Sequence, residues 1–284
     1  MRRLLSPLGL AGPALAVFCL FLLVPLGFVA ALSFHTYSIS TGIRGDIWTL
    51  ANYGEIATDS YFYSVFLRTL RISLAVTALS VVLGTLEAYI LSRMRQPWRG
   101  IFLLAALGPL LISIVARTLG WALLFGSTGL ANKALMAIGI IARPLRFMYS
   151  ETGVIIALTH VLVPYMVIAV WTSLQKIDPR VEDAAVSLGA AAMTVIRRVV
   201  VPQAMPGIVS GGIIVFALAA SAFATPAIIG GRRLKVVPTV AYDEFLYTLD
   251  WPLGAAVALL LLVFTVALTV AVNRYAERRY AEAF

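Results

Sequence analysis

The sequence between the fourth and fifth apolar segments decides the fold, and residues 175–207 read QKIDPRVEDAAVSLGAAAMTVIRRVVVPQAMPG. Asp178 followed by Pro179 is typical of a helix N-cap and the first helical residue. Glu182 lies in the first turn, where a negative charge interacts favourably with the helix dipole. Gly189 is a natural helix end. The segment therefore predicts a short helix that stops before a glycine turn.

A second short helix is predicted after this turn. Ala190 begins another helix-compatible stretch, and Pro202 and Pro206 mark its end. We expect the resulting structured loop, residues 175–206, to lie outside the bilayer on its inner side. On pattern alone it is either an interfacial connector without a partner or a docking surface, because its small residues would let another surface approach closely.

The composition places the chain in a membrane. Of its 284 residues, 61% are hydrophobic and only 12% are charged, and the mean hydropathy is +0.95. Soluble domains have about 45–50% apolar and about 25% charged residues. Intrinsic disorder is also excluded, because it requires low hydrophobicity. The chain is therefore expected to be an integral membrane protein.

Six charge-poor stretches are each long enough to cross about 30 Å of hydrocarbon as a helix. Alternating ten-residue segments, as in a membrane β-barrel, are absent from the sequence. The first stretch is too long for the apolar part of a signal peptide, which is about 7–15 residues, so we expect it to stay uncleaved. We predict an all-α protein with one transmembrane domain, residues 1–284, and spans over about residues 10–34, 68–92, 100–126, 152–174, 207–230 and 252–274.

The excess of basic residues is explained by arginines and lysines in loops that set the membrane topology. The chain has 22 basic and 13 acidic residues and a net charge of +9. The short second-to-third connection, RMRQPWR at residues 93–99, favours an inner location and places both termini in the cytoplasm. No basic run interleaved with aromatics is present, so no nucleic-acid partner is expected. The single Cys19 lies in an apolar run and indicates no disulfide or metal cluster.

Two charges inside predicted spans require an explanation, because an ionisable group at bilayer depth is costly and usually faces a cavity or a partner. Glu87 lies in the second span and Arg117 in the third. Either the two side chains pair across adjacent helices, or they lie at different depths and line a solute path.

Five other residues are candidates for such a path. Aromatic rings and carboxylates bind cationic solutes, and the candidate residues are Trp121, Tyr165, Phe223, Asp243 and Glu244. The alternative for each aromatic residue is packing or anchoring at the membrane interface.

Enzymatic chemistry is not indicated. His35 and His160 are the only histidines, and neither has a metal-binding spacing. His160 is either a pore ligand or a hydrogen-bond partner between helices. No G-x-x-x-x-G-K-S/T phosphate loop occurs, so this chain is not expected to bind nucleotide.

The 175–207 segment resembles the EAA signature of ABC-importer permeases, which has the form E-A-A-x3-G-x9-I-x-L-P. Both spacings match without a gap. Aspartate replaces glutamate at Asp183, and its side chain is shorter by one methylene. The adjacent Glu182 would compensate for this shorter reach. The resemblance assigns ATPase coupling to Glu182, Asp183, Ala184, Ala185, Gly189, Val199, Val201 and Pro202.

Three further motifs resemble the spermidine/putrescine-type branch of these permeases. They are RTLGW at residues 117–121 with GLAN at residues 129–132, the segment at residues 226–231, and DWPLGAA at residues 250–256.

The resemblance implies a type I ABC-importer permease fold with a cytoplasmic coupling helix, in a bacterial inner membrane. The implied partners are two ATPase subunits, a periplasmic solute-binding protein and a second homologous permease subunit, with a heterodimer favoured over a homodimer. ATP would bind the partner ATPase, so this chain is expected to have no cofactor, no metal and no catalytic residue.

The implied function is binding-protein-dependent import of a small polar solute, with a polyamine as the favoured type, by alternating access. A permease for iron, phosphonate or another small solute is the alternative, together with a self-contained secondary carrier. A carrier would be expected to show inverted repeats, and the sequence has no clear internal repeat.

Overall fold

Six helical segments are long and apolar enough to span a membrane in a computed structural model of the chain, which describes residues 7–38, 40, 42–45 and 47–279. This number confirms the prediction. The segments are Gly12–Leu32, Ser60–Arg93, Ile114–Ala137, Glu151–Leu174, Ala192–Ala220 and Trp251–Arg278.

Two units make up the chain. The first unit comprises Met1–Ser64 and Val240–Val263, and the second comprises Val65–Thr239 and Phe264–Phe284.

The N-terminal part of the first unit is helical apart from one hairpin. Its elements are α1 (Pro7–Phe18), a π-helical turn (Cys19–Leu23), α2 (Val24–Leu32), β1 (Thr36–Ser38), β2 (Gly42–Arg44) and α3 (Ala51–Thr58). The strands are antiparallel, with Tyr37 opposite Ile43, and this hairpin is an addition to the predicted all-α fold. Buried Asn52 connects α3 to the end of α2, because its side-chain amide donates to the carbonyls of Ser33 and His35, each at 2.8 Å.

Helix α4 (Ser60–Arg93) has 34 residues, so it extends about 50 Å and is longer than a bilayer core is thick. Several of its hydroxyl groups are satisfied within the helix, whereas those of Ser80 and Thr85 are buried without a partner among the described residues. Thr69, Ser73 and Thr77 each donate to the carbonyl four residues earlier, at 2.7–2.8 Å. Such back-bonding lets polar residues occupy an apolar environment.

The third predicted span, residues 100–126, is interrupted in the structure. Helix α5 (Trp98–Leu111) ends, Ile112 and Ser113 are extended, and α6 (Ile114–Phe125) follows, with α7 (Leu130–Ala137) after a short turn. Pro109 supplies no backbone N–H to the helix, which weakens the last turns of α5. A β-branched residue and a serine, both weaker helix formers, then follow.

Helices α8 (Glu151–Leu174) and α11 (Val201–Ala220) form the centre of the second unit. They approach closely because α11 presents glycine. A Cβ atom built on Gly207 would lie 2.5 Å from the carbonyl oxygen of Ala169, so only glycine fits at this position.

The loop between α8 and α11 differs from the prediction at its second half. Helix α9 (Pro179–Ser187) is followed by a glycine turn, as predicted. After this turn, α10 (Ala192–Val195), a π-helical turn (Ile196–Val200) and α11 form one continuous helical segment. Pro202 and Pro206 therefore do not end a helix. Pro202 follows directly on the π turn, whose wider geometry accommodates its missing N–H, and Pro206 lies within α11.

The fifth segment also ends earlier than predicted, with Ser221 as the C-cap of α11. The chain continues through a π turn (Pro226–Gly230), a 3-10 turn (Gly231–Arg233), α12 (Val237–Asp243), a second π turn (Glu244–Thr248) and α13 (Trp251–Arg279). Asp250 caps α13, because its carboxylate accepts a hydrogen bond from the N–H of Leu253 at 3.0 Å.

Candidate functional site

The first candidate site is the coupling segment, which we define as residues 178–189. Its helix starts as the sequence predicts, because the Asp178 carboxylate accepts a hydrogen bond from the N–H of Arg180 at 3.0 Å. Asp183 and Ala184 are exposed, whereas Ala185 packs against the core. Leu188 is 89% exposed at the end of the segment. An acidic group, a small residue and an apolar side chain are thus all accessible to a partner.

Gly189 and the valines fix how the segment rejoins the membrane helix. Gly189 has φ +85°, which lies in the left-handed region that favours glycine. Val199 is half-buried and packs against the core, and the neighbouring Val200 is buried. The spacing of the signature therefore matches a turn followed by one buried face of the next helix.

Glu182 forms an ion pair within the chain. Its side chain is 13% exposed and forms an ion pair with Arg93 at the C-terminal end of α4. The guanidinium of Arg93 also lies over the ring of Tyr89, 5.4 Å from the ring centroid. Glu182, which the sequence suggests as compensation for the shorter Asp183, is thus paired with Arg93 in this structure.

The second candidate site is a cavity of about 630 Å³ between α4, α5 and α8, which we name the Glu87 cavity. Its polar lining residues are Glu87, Thr159 and His160. Most of the remaining wall is apolar, and Pro109 and Pro164 are part of it. A carboxylate in an apolar cavity between membrane helices can bind a cationic group.

A neighbouring cavity of similar volume is the Arg117 cavity, and Trp121 and His160 also line it. The guanidinium of Arg117 donates a hydrogen bond to the carbonyl of Pro109. The indole N–H of Trp121 donates to Nδ1 of His160 at 3.3 Å. Because an indole N–H can only donate, the Nδ1 atom accepts, and a neutral imidazole carries its proton on Nε2. His160 lines both cavities.

The structure separates Glu87 from Arg117. No ion pair joins them in the described part of the chain, and each lines a different cavity. Of the two alternatives from the sequence, the pairing of these charges is not observed.

The other path candidates are dispersed. Tyr165 and Phe223 are exposed and line neither cavity. Asp243 and Glu244 lie near the end of α12 in the first unit. The structure thus brings together Glu87 with His160, and Arg117 with Trp121 and His160. Reasoning from the sequence missed Thr159 and Pro109, although a proline in an apolar helix is a visible signal.

Glu244 belongs to an acidic group. Burial raises the pKa of the Glu244 carboxyl above its ordinary value of 4.5, and a hydrogen bond from Thr248 opposes this effect. The negative charges of Asp250, Asp243 and Glu55 raise the pKa further. Across the described residues, no three His, Cys, Asp or Glu side chains are arranged to hold a metal ion.

Asn132 of the GLAN motif and Glu151 at the start of α8 have structural roles. Asn132 is fully buried, and its amide donates to the carbonyls of Gly126 and Leu145 and accepts from the N–H of Leu145, at 2.8–3.1 Å. It therefore joins the turn before α7 to the chain after it. At the start of α8, Glu151 forms ion pairs with Arg68 at 3.5 Å and Arg71 at 3.1 Å.

Comparison with known proteins identifies relatives along nearly the whole chain. No family model matches it. The spermidine/putrescine transport system permease protein PotB of Salmonella typhimurium (strain SL1344) is 30% identical over 244 residues, 86% of this chain and 84% of that protein. The putative 2-aminoethylphosphonate transport system permease protein PhnU of Salmonella paratyphi A is 30% identical over 257 residues, 88% of each chain.

A solved structure shows the same fold. A bacterial alginate ABC transporter, in complex with an alginate pentasaccharide-bound periplasmic protein, has a chain that matches with a TM-score of 0.78 at 18% identity. The match covers 98% of this chain and 96% of that chain. These findings confirm the resemblance carried by the EAA spacing. The chain belongs to the family of ABC-importer permease proteins, of which the PotB proteins are members.

Proposed function

We propose that this permease passes a small polar solute bearing an amino group from a periplasmic binding protein to the cytoplasm. The favoured solute is a polyamine. A separate ATPase subunit would bind the coupling segment, and rigid-body movement of the helices would give alternating access to the solute path.

The observation that carries the coupling role is the geometry of residues 178–189. The segment is a capped helix with Asp183, Ala184 and Leu188 exposed, and its spacing matches the EAA signature. Since ATP is in the cytoplasm, this role requires the segment and both termini to lie on the cytoplasmic side of a bacterial inner membrane. The ATPase and the second permease would each be separate chains, so this chain is itself not an enzyme.

The amino-group specificity is supported by the Glu87 cavity and by the names of the relatives. Spermidine, putrescine and 2-aminoethylphosphonate, the solutes in those names, all contain an amino group. Glu87 provides the complementary negative charge in the second unit.

A zwitterionic aminophosphonate is a second candidate, because Arg117 lines the neighbouring cavity. A guanidinium is well suited to phosphonate oxygens. A self-contained secondary carrier is not favoured, since the relatives are permease proteins of transport systems.

The test is uptake by proteoliposomes that contain this chain, its partner permease and the ATPase, with the cognate binding protein added outside. We expect uptake of spermidine or putrescine that requires ATP inside the vesicles and the binding protein outside. Uptake of 2-aminoethylphosphonate but of no polyamine would favour the second candidate. Uptake driven by an ion gradient without ATP would contradict the proposal.

A further inference from the structure

The Glu87 cavity contains a carboxylate without a counter-ion. Within the described residues, the half-buried Glu87 side chain forms no hydrogen bond or ion pair. It is also the only charged side chain among the residues that line this cavity. A charge at membrane depth is costly unless something pairs with it, so the cavity is complementary to one positive charge.

Two prolines add backbone acceptors to the same wall. Pro109 and Pro164 have no N–H, so neither can donate to the carbonyl four residues earlier in its helix. Those carbonyls belong to Ala105 and His160, and all four residues line the Glu87 cavity. Each of two helices thus has a carbonyl group without its helical donor at this site.

A buried hydroxyl completes the set. Thr159 is 5% exposed, and its Oγ1 atom has no hydrogen-bond partner in the part of the chain that the structure describes. Thr118 and Thr172 in the spans donate to helix carbonyls at 2.7–3.0 Å. The hydroxyls of Ser80 and Thr85 on α4 are also buried without a partner among the described residues, but of these three unpaired hydroxyls only that of Thr159 belongs to a residue lining the Glu87 cavity. Most buried polar groups are hydrogen-bonded, so an unpaired hydroxyl at a cavity wall requires an explanation. A ligand that binds in the cavity would provide its partner.

The Glu87 carboxylate, the two carbonyls and the Thr159 hydroxyl can all accept hydrogen bonds, whereas His160, which also lines the cavity, carries an Nε2–H donor. A primary ammonium group has three N–H donors and no acceptor, so it matches a carboxylate, two carbonyls that lack their usual helical donor and a hydroxyl oxygen. The apolar side chains of Leu79, Leu83 and Ile90 in the same wall suit the methylene groups that carry an alkyl ammonium. A divalent metal ion is a poorer match, because no cluster of three His, Cys, Asp or Glu ligands is present in the described residues.

We infer that the Glu87 cavity is a membrane-embedded binding site for the primary ammonium group of an alkyl amine. The claim that this site lies on the transport path rests on the proposed function. The claim that the site binds an alkyl diamine is independent of that function, and the experiment measures this binding on the chain without ATPase or binding protein.

The experiment uses dicyclohexylcarbodiimide, which reacts with protonated carboxyl groups in apolar surroundings. The full chain in lipid nanodiscs is treated with this reagent, and mass spectrometry quantifies the adduct on the peptide containing Glu87, the unmodified peptide and any amide that an amine forms with the activated carboxyl. An ammonium group bound at Glu87 keeps the carboxylate ionised and covers it. We therefore expect millimolar α,ω-diaminobutane to suppress the adduct and to raise the unmodified fraction of this peptide without amide formation, whereas α,ω-butanediol of the same length leaves both unchanged.

Variants assign the effect to this cavity. Glu87→Gln is expected to lose the adduct from this peptide, and Glu277→Gln, outside the cavity, is expected to retain both adduct and protection. Thr159→Val keeps the shape but removes the hydroxyl. It is expected to raise the diamine concentration for half-protection about tenfold, through the loss of a hydrogen bond to a charged group.

Either of two results would overturn the site: equal protection by the diol and the diamine, or no protection by the diamine. Protection by diamine together with failed ATP-driven uptake would uphold the site and refute the importer proposal. ATP-driven polyamine uptake without protection would refute the site and uphold the importer.

Discussion

Glu182 of the coupling segment and Arg93 of α4 form an ion pair, in which the Glu182 side chain is 13% exposed and the Arg93 side chain is 42% exposed. This pair connects the surface proposed to bind the ATPase with the end of a membrane helix. Glu87 lies six residues earlier on the same helix. A movement of the coupling segment would therefore act on the helix that carries the Glu87 cavity.

Removing one partner of this pair is expected to weaken the connection. Glu182→Gln should lower unfolding stability by about 1 kcal/mol, because Arg93 is partly exposed and the attraction is screened. It should also reduce the solute transported per ATP hydrolysed in the reconstituted importer. The charge-reversed double variant, Arg93→Glu with Glu182→Arg, should restore more than half of both losses. A double variant no better than the single ones would exclude this connection.

Asp183 provides a contrast on the same helix, because its side chain is exposed and unpaired within the described residues. Asp183→Asn should change unfolding stability by less than about 0.5 kcal/mol, as is usual for surface substitutions. It should weaken association of the ATPase with the detergent-solubilised permease, measured by co-elution at several ATPase concentrations. Unchanged association would argue against a contact between Asp183 and the ATPase.

The packing of α8 against α11 depends on one glycine. Gly207→Ala would bring a methyl group to 2.5 Å from the Ala169 carbonyl oxygen, which is backbone and cannot move away easily. We expect destabilisation of about 1–3 kcal/mol in an SDS unfolding titration. Gly212→Ala is the matched control on the same helix, because its nearest contact is 3.8 Å, an ordinary distance. Equal effects of the two variants would contradict the close approach.

Glu244 should make stability depend on pH. Burial raises its pKa in the folded chain above the unfolded value of 4.5, so the folded state holds its proton more tightly. The resulting stabilisation is complete below pH 4.5 and is lost as the pH rises through the folded pKa. Glu244→Gln keeps an oxygen for the Thr248 hydroxyl but cannot ionise.

The variant should therefore melt at a higher temperature than the wild type at pH 7, and the difference should shrink towards pH 4. A difference that is constant with pH, or larger at pH 4, would show that the folded-state pKa of Glu244 is not raised.

Local patterns predicted the helical fold well. The Asp178–Pro179 cap and the Gly189 turn both form as the sequence indicates, because each depends on neighbours along the chain. The number of spans also follows from length and hydropathy alone. The helix ends predicted from prolines were less accurate. Pro202 lies within a helical segment, since a π turn accommodates its missing N–H, whereas the break near residue 112 was not predicted although Pro109 lies three residues before it.

The site was less predictable because it depends on contacts between distant residues. Glu87 and Arg117 stood out as charges in apolar segments, but the sequence could not show that they line different cavities. The pairing of Glu182 with Arg93 joins positions 89 residues apart, and no spacing rule indicates it. Thr159 became notable only when its hydroxyl was found without a partner.

The central claim is that this chain is a translocating subunit driven by a separate ATPase through its coupling segment. Affinity purification of the tagged chain from its native membranes tests it most directly. We predict that a polypeptide with a G-x-x-x-x-G-K-S/T phosphate loop and a second permease co-purify, and that the complex hydrolyses ATP while the isolated chain does not. Robust hydrolysis by the isolated chain, or its recovery without any such ATPase, would contradict the account.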